Sequence, residues 1–387
     1  MRQTETIELA LSAAGTARSL TVWRWGTPGA RPKAYVQASL HADEIPGMLV
    51  THHLSALLDK AMGDRAVTGE VVLVPVANPL GLTQRVHGVL HGRFELSRHS
   101  NFNRGFPAFA EVVAGALEGR LGDDEGRNVS RVRAALMEAA GAHAAGEAVA
   151  FDEAAGLRAR LMCLAIDADI VLDLHCDTES LVYVYLGTPL WPQAADLPRW
   201  LGSPFALLAE DSGGQSFDEA VAGPWWALAR RFADKPIPPA CLSATVELRG
   251  QADVSDELAM ADAAALAHFL AGRGVIDAGA LPAVTAGAHQ PAGIALEGVD
   301  LVRAAGPGIL VHRAALGDEV KRGDTVAELV DPIAPDPASA RLPLTAGTGG
   351  IVFTRTRERY VSAGAVVAKI AGTEPLEYRR AGSLLED

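Results

Sequence analysis

The chain has 387 residues, 49% apolar and 21% charged, with a formal net charge of −13, a length and core fraction that suit one large domain with a smaller companion. The acidic balance excludes a basic phosphate-binding face, and three widely spaced cysteines without a CxxC pair exclude a disulfide framework or a cysteine zinc site. No basic-then-apolar leader opens the sequence and no apolar run reaches the ~18–20 residues of a membrane span. The expectation is therefore a cytoplasmic protein that meets neither nucleic acid nor membrane.

In chain order, "SLTVWRWG" reads as a strand leading into the turn "GTPGARP", and "AYVQASL" as the next strand. "GMLVTHHLSALLDKAMG" has helical spacing and ends at Gly63; "GEVVLVPVAN" is a continuous apolar strand of the kind buried on both faces. Strand, helix, strand in this order predicts an α/β fold. Residues from about 108 to 164 turn Ala-, Glu- and Arg-rich and predict a helical insertion. "ADIVLDLHCD", "SLVYVYLG", "PFALLAE" and "LSATVELRG" return to strands, followed by the helix "DELAMADAAALAHFLAGRG". After the Gly/Pro/Ala stretch near Pro282, short strands alternate with Gly turns in two halves that echo each other. This texture divides the chain at 285/286, with a small all-β, barrel-sandwich-like domain over 286–387.

The chemistry begins at "SLHADEIPG", where His41 and Glu44 lie three apart just after a strand. A catalytic zinc site needs three protein ligands and one open position. His175 in "VLDLHCD" offers the third ligand at another strand end, where sites of open α/β sheets gather. Asp173 and Asp177 flank it and are candidates to orient ligands. Each histidine alone has a plainer reading as a loop or core residue. Further polar stretches weaken that reading: "NPLG" at 78–81, "NFNRGFP" with Asn103 beside Arg104, and Glu247 within the apolar strand "ATVELRG". Arg and Asn together suit a carboxylate. A carboxyl in an apolar strand must be paired, protonated or functional. The Gly-rich "GGQSFDEA" is a turn that could line a pocket, and Trp225–Trp226 reads as packing.

The ordered set "HADEIPG", "NPLG", "NFNRGFP", "DLHC" and "VELRG" resembles the succinylglutamate desuccinylase/aspartoacylase family, within the wider zinc carboxypeptidase-like superfamily, over about residues 30–270. The resemblance implies a mixed sheet flanked by helices and one zinc ion per chain. It implies hydrolysis of a linear amide, a C–N bond other than a peptide bond, in a small N-acyl amino acid or acylated amine. His41, Glu44 and His175 match its zinc ligands, and Glu247 matches the group that activates a zinc-bound water. Asn103 and Arg104 match its carboxylate-binding pair. Its carbonyl-polarising arginine falls on Arg93 by spacing from Asn78, with Arg85 and Arg98 as alternatives. Two positions depart from the family pattern: Ala42 stands where Gly is usual, which matters only if that backbone takes positive φ, and Asn101 stands where Asp is frequent. Other readings are a metallocarboxypeptidase acting on peptides and a non-catalytic zinc-containing binding protein. The tail also resembles biotinyl and lipoyl carriers, yet "AELVDPIAPDP" between its halves has no lysine, and Lys321 lies earlier. The acyl group stays open at this point, and the sequence is compatible with a homo-oligomer.

Overall fold

The computed structural model describes residues 2–10 and 14–384. A nine-stranded mixed sheet runs through the larger part in the order Gln3–Glu8, Ser19–Gly26, Glu70–Val74, Lys33–Ala38, Ile170–Asp177, Leu242–Gly250, Val182–Gly187, Phe205–Ala209 and Ala292–Ala295. Glu70–Val74, Lys33–Ala38, Ile170–Asp177 and Leu242–Gly250 are mutually parallel, whereas Val182–Gly187 runs antiparallel to Leu242–Gly250.

Strand side chains alternate between faces, and here each face has its own core. Ala34, Val36, Ala38, Leu172, Leu174, Ala244 and Val246 pack with the helices Pro46–Gly63 and Asp256–Gly272. The first helix starts on Pro46, whose fixed φ suits a first turn. The second is capped by Ser255, whose hydroxyl accepts from Leu258 N at 3.3 Å. Tyr35, Val72, Val74 and Val171 point the other way, into a core shared with Phe217–Arg231 and with the helices between Ala110 and Ala165. The helical stretch expected at about 108–164 is thus present as four helices covering this second face.

Beyond Ala295 the described residues form two small sheets. One contains Val299–Arg303, Val366–Gly372 and Gly350–Arg355; the other contains Gly308–His312, Thr325–Val330 and Arg341–Thr345. The first sheet is completed by Glu179–Ser180, which pairs with Gly350–Arg355 only a few residues after His175. Phe353 meets Tyr183 and Phe205 edge to face across this junction, with centroids 4.9 Å apart for Tyr183–Phe353 and 5.4 Å for Phe205–Phe353. The first of these C-terminal sheets is therefore joined to the chain just after the strand end that carries the candidate ligand.

Candidate active site

Period-two alternation puts the chemistry on one face. In Ile170–Asp177 the even positions Ile170, Leu172 and Leu174 enter the first core, so Asp173 and His175 face the other side. In Leu242–Gly250 the even positions Ala244, Val246 and Leu248 do the same, leaving Glu247 beside His175, its direct cross-strand neighbour. Val182–Gly187 adds Tyr183 and Tyr185 to that face, and Tyr183 is the cross-strand neighbour of Glu247.

His41 and Glu44 reach the site from the end of Lys33–Ala38. The chain leaves the strand through Ser39 at φ 66°, a conformation unusual for a residue with a Cβ. Asn78 of "NPLG" then holds the loop: its Nδ2 donates to Leu40 O at 2.8 Å and its Oδ1 accepts from Gly81 N at 2.8 Å. Ala42 N donates to Gly92 O at 3.0 Å. A Cβ on Gly92 would lie 2.1 Å from Asp43 N, so only glycine allows this approach, and the approach brings the next residue, Arg93, to the ligands.

His41, Glu44 and His175 are all buried, and one donor atom from each lies within 4.8 Å of the others. His41 Nε2 is 2.8 Å from Asn101 Oδ1, which also accepts from Asn103 N at 2.9 Å. An amide oxygen only accepts, so Nε2 carries the hydrogen and Nδ1 of the neutral ring offers a lone pair. His175 Nε2 likewise meets Asp173 Oδ2 at 2.9 Å, while Asp173 Oδ1 accepts from Gln37 Nε2 at 2.9 Å and Gln37 Oε1 accepts from Tyr35 OH at 2.7 Å. Both Nδ1 atoms face Glu44, at 2.9 Å from Oε1 for His41 and 2.8 Å from Oε2 for His175. Two imidazole Nδ1 atoms and a carboxylate converge in a buried space, an N/N/O donor set that fits zinc once His175 gives up its Nδ1 proton.

The electrostatics follow from the neighbours. Burial, reinforced by the Arg93 charge, pushes His41 down to about 4. Burial opposes a charge on His175 too, but Asp173 and Glu44 outweigh it and raise its pKa well above the ordinary value. Burial alone would raise Glu44, yet the two histidines hold it well below the usual carboxylate range. Burial and the Glu44 charge push Glu247 up to about 8, and its Oε2 has no hydrogen-bond partner among the described residues.

The ligand set opens onto a cavity of about 380 Å³ that is also lined by Arg93, Asn103, Arg104, Glu247, Tyr185, Lys369 and Arg379. The structure thus brings together all seven residues singled out from the sequence. Arg93 Nη1 lies 3.2 Å from both His41 Nδ1 and Glu44 Oε1. The two alternatives lie elsewhere: Arg85 is exposed beside Gly88 O, and Arg98 pairs with Asp152. Asn103 Oδ1 accepts from Phe217 N at 2.9 Å, and Arg104 Nη1 donates to Asn103 O at 2.7 Å. Ser216 and Asp218 of "GGQSFDEA" do line the cavity and are bonded to each other at 2.7 Å, while Trp225 is buried in the second core. Asp177 differs from its expected part: it pairs with Lys369 at 2.8 Å and accepts from Tyr183 OH at 3.1 Å, leaving Asp173 alone to orient His175.

Residues 30–273 match the succinylglutamate desuccinylase/aspartoacylase catalytic domain. The chain belongs to the succinylglutamate desuccinylase/aspartoacylase family. A family protein from Shewanella amazonensis is 26% identical and superposes with a TM-score of 0.82, over 95% of this chain and 98% of that one. Another from Shewanella frigidimarina is 23% identical with a TM-score of 0.83, over 97% and 99%. The ectoine utilization protein EutE (DoeB) from Ruegeria pomeroyi, at 16% identity, has a TM-score of 0.65 over 96% and 95%. No curated protein matches the sequence. Within this family the two departures now have structural meaning. Ala42 is absent from the positive-φ residues, so its methyl group is accommodated without backbone strain. Asn101 is the hydrogen-bond acceptor for His41, which gives the two histidines unequal partners, one neutral and one charged. No helix among the described residues is long and apolar enough to cross a membrane.

Proposed function

We propose that this family member is a zinc-dependent deacylase that hydrolyses the amide bond of a small N-acyl amino acid or acylated amine. The observation that carries the reading is Glu247: a half-buried side chain whose buried Oε2 has no hydrogen-bond partner among the described residues, directly across from His175 and lining the same cavity. Such a group costs folding stability, and groups of this kind cluster at functional sites.

His41 Nδ1, Glu44 and His175 Nδ1 would hold the ion. Zinc held there supplies Lewis acidity, polarising an amide carbonyl and making water easier to deprotonate. Glu247, as the carboxylate, takes a proton from the attacking water and returns it to the leaving amine nitrogen. Arg93 donates N–H groups to the oxygen that gains negative charge. Arg104 and Asn103 hold the substrate carboxylate, so that the scissile bond is presented in one orientation. Asp173 and Asn101 fix the histidine tautomers throughout. The cavity of about 380 Å³ suits a small molecule, and residues after Ala295 line part of its wall.

Purified protein is expected to carry about one zinc per chain and to hydrolyse members of a panel of N-acetyl and N-succinyl amino acids. Glu247→Gln should keep the metal and lose hydrolysis by at least ~10³-fold. Full activity in metal-stripped protein, or in Glu247→Gln, would overturn the reading.

A further inference from the structure

The last described segment of the chain, residues 376–384, leaves the C-terminal sheets and ends against the loop 211–215 of the larger part. It has no helix or strand of its own. At its start Leu376 N donates to Glu297 O at 2.9 Å, while Tyr378 OH donates to Asp300 Oδ1 at 2.7 Å and accepts from Leu301 N at 3.2 Å. At its end Gly382 N donates to Asp211 O at 2.9 Å and Leu384 N to Ser212 O at 2.8 Å. The Leu384 side chain is buried in the apolar cluster of Tyr183, Phe205 and Phe353, and Leu384 and Ser212 both line the cavity. The segment is thus tied at both ends.

The loop on which it ends also holds Asn103 and Arg104. Gly105 N donates to Gly214 O at 2.8 Å, Phe106 N to Gln215 O at 3.1 Å and Phe217 N to Asn103 Oδ1 at 2.9 Å. Two adjacent glycines link the tail to the arginine. A Cβ on Gly213 would lie 2.5 Å from Gly382 O, and a Cβ on Gly214 would lie 2.5 Å from Arg104 Cδ. The turn therefore touches the tail backbone through one residue and the Arg104 side chain through the next, and bare backbone sets both spacings. Gly213, Gly214 and Gln215 have φ of 106°, 75° and 56°. For Gln215 this conformation is costly and persists only where surrounding contacts fix it. The tail supplies such contacts at Asp211, Ser212 and Gly213.

We propose that residues 376–384 form a strap that positions Asn103 and Arg104 through the Gly213–Gly214 turn, with Gly382 and Leu384 as its positioning residues. The C-terminal sheets then contribute to substrate binding at a distance, by holding the far end of the strap. The carboxylate-binding role of Arg104 rests on the deacylase reading. The link from strap to turn rests on the contacts alone.

Two readouts on full-length, zinc-loaded protein test the strap. Leu384→Ala keeps the amide that meets Ser212 O and removes the buried anchor. Hydrogen exchange of the Gly105 and Phe106 amides should then speed up by at least ~tenfold, while Ala42, tethered to Gly92 O, keeps its rate. KM for the best substrate of the N-acyl amino acid panel should rise roughly tenfold, the usual worth of a charge-assisted hydrogen bond, with kcat changed by no more than about twofold. For the α-carboxamide of the same compound, which lacks the carboxylate, kcat/KM should stay as in wild type. Leu384→Met, which conserves volume, should restore both readouts. Tyr378→Phe loosens the other end of the strap, outside the cavity, and should give the same pattern at smaller size; it carries the test if Leu384→Ala does not fold. Wild-type exchange at Gly105 and Phe106 in these variants overturns the inference. An equal loss for acid and carboxamide also overturns it, and would make Leu384 a wall contact only. Faster exchange in a protein that turns over no member of the panel would remove the deacylase reading and leave the strap standing.

Discussion

His41 and His175 engage both ring nitrogens with side chains of the strand-end network, and their partners are themselves bonded in turn as far as Gln37 and Tyr35. Arg379, on the C-terminal wall, donates from Nη2 to Leu384 O and from its backbone N to Leu376 O, while its Nε has no partner among the described residues. One wall fixes its donors in place and permits a single arrangement around a cation. The other leaves a buried polar atom unsatisfied among the described residues. Catalytic groups gain from being over-determined, because misplacement by an ångström is costly. Recognition groups are better left incomplete, because a group already satisfied has nothing to offer a ligand.

Four outcomes would sharpen or break that contrast. The largest concerns Glu247, the member of the strand-end wall that is itself incomplete. Its pKa in the folded protein is raised to about 8, above the ordinary carboxyl value of 4.5, by burial and then by Glu44. Its favourable contribution is thus fully present below pH 4.5 and is lost as pH rises through about 8. Within that window the folding equilibrium of metal-free protein should fall by up to ~tenfold per pH unit. Glu219, raised to about 7 by burial and Asp218, adds a slope of the same sign. The difference between wild type and Glu247→Gln, measured by chemical denaturation in chelator at several pH values, isolates Glu247. Parallel curves would mean that Glu247 is already paired.

Next in size is Arg93→Met, expected to lower kcat by ~10²–10³-fold, as for the loss of an oxyanion donor. Zinc content should not fall, because the substitution removes a positive charge 3.2 Å from Glu44. Loss of metal together with activity would make Arg93 part of the ligand scaffold. Smaller again is Asp173→Asn. It keeps an acceptor for His175 but removes the charge, and should weaken zinc binding by roughly 10–100-fold in chelator competition. Asn101→Asp is the reciprocal change at His41 and should strengthen binding. Equal affinity in both variants would show that the unequal partners of the two histidines have no bearing on the metal.

The contrast between the walls also explains what could be read from the sequence. The strands "SLTVWRWG" and "LSATVELRG" coincide with Ser19–Gly26 and Leu242–Gly250, and the helix read from Gly47 to Gly63 by its spacing begins one residue earlier, at Pro46. The strand Gln3–Glu8 was not legible: it is an edge strand with almost every residue exposed, so it carries no burial pattern. Site residues at strand ends were visible because short motifs hold them. Asn78 and Gly81 in "NPLG" tether the His41 loop, and Arg249 in "VELRG" grips Asp262 through two bonds of 2.7 and 2.9 Å just after Glu247. Tyr183 and Tyr185 could have been found from the period-two spacing that also marks Asp173, His175 and Glu247. Lys369 and Arg379 could not. The first sits at an ordinary strand position and the second in an irregular tail, and only packing against Asp177, Asp211 and Ser212 brings them to the cavity.

The smallest effect is expected at Lys369, where the C-terminal wall touches the strand that carries His175. Lys369 Nζ lies 2.8 Å from Asp177 Oδ2, with the two side chains 27% and 17% exposed. Burial alone would raise Asp177, but Lys369 keeps it below the ordinary carboxylate value. Lys369→Met leaves that carboxylate partly buried with Tyr183 OH as its remaining side-chain donor. Partial solvent access keeps the cost below that of breaking a fully buried pair, so a loss of ~1–2 kcal/mol is expected. Lys369→Met with Asp177→Asn should recover most of it, because the double change leaves no charge unpaired. Thermal melts of the two single variants and the double variant close the cycle. Zinc content should be the same in all of them, since neither side chain is hydrogen-bonded or ion-paired to His41, Glu44 or His175. If Lys369→Met released zinc, the C-terminal wall would be setting the position of His175 through Asp177, and the two walls would be one structure, not two.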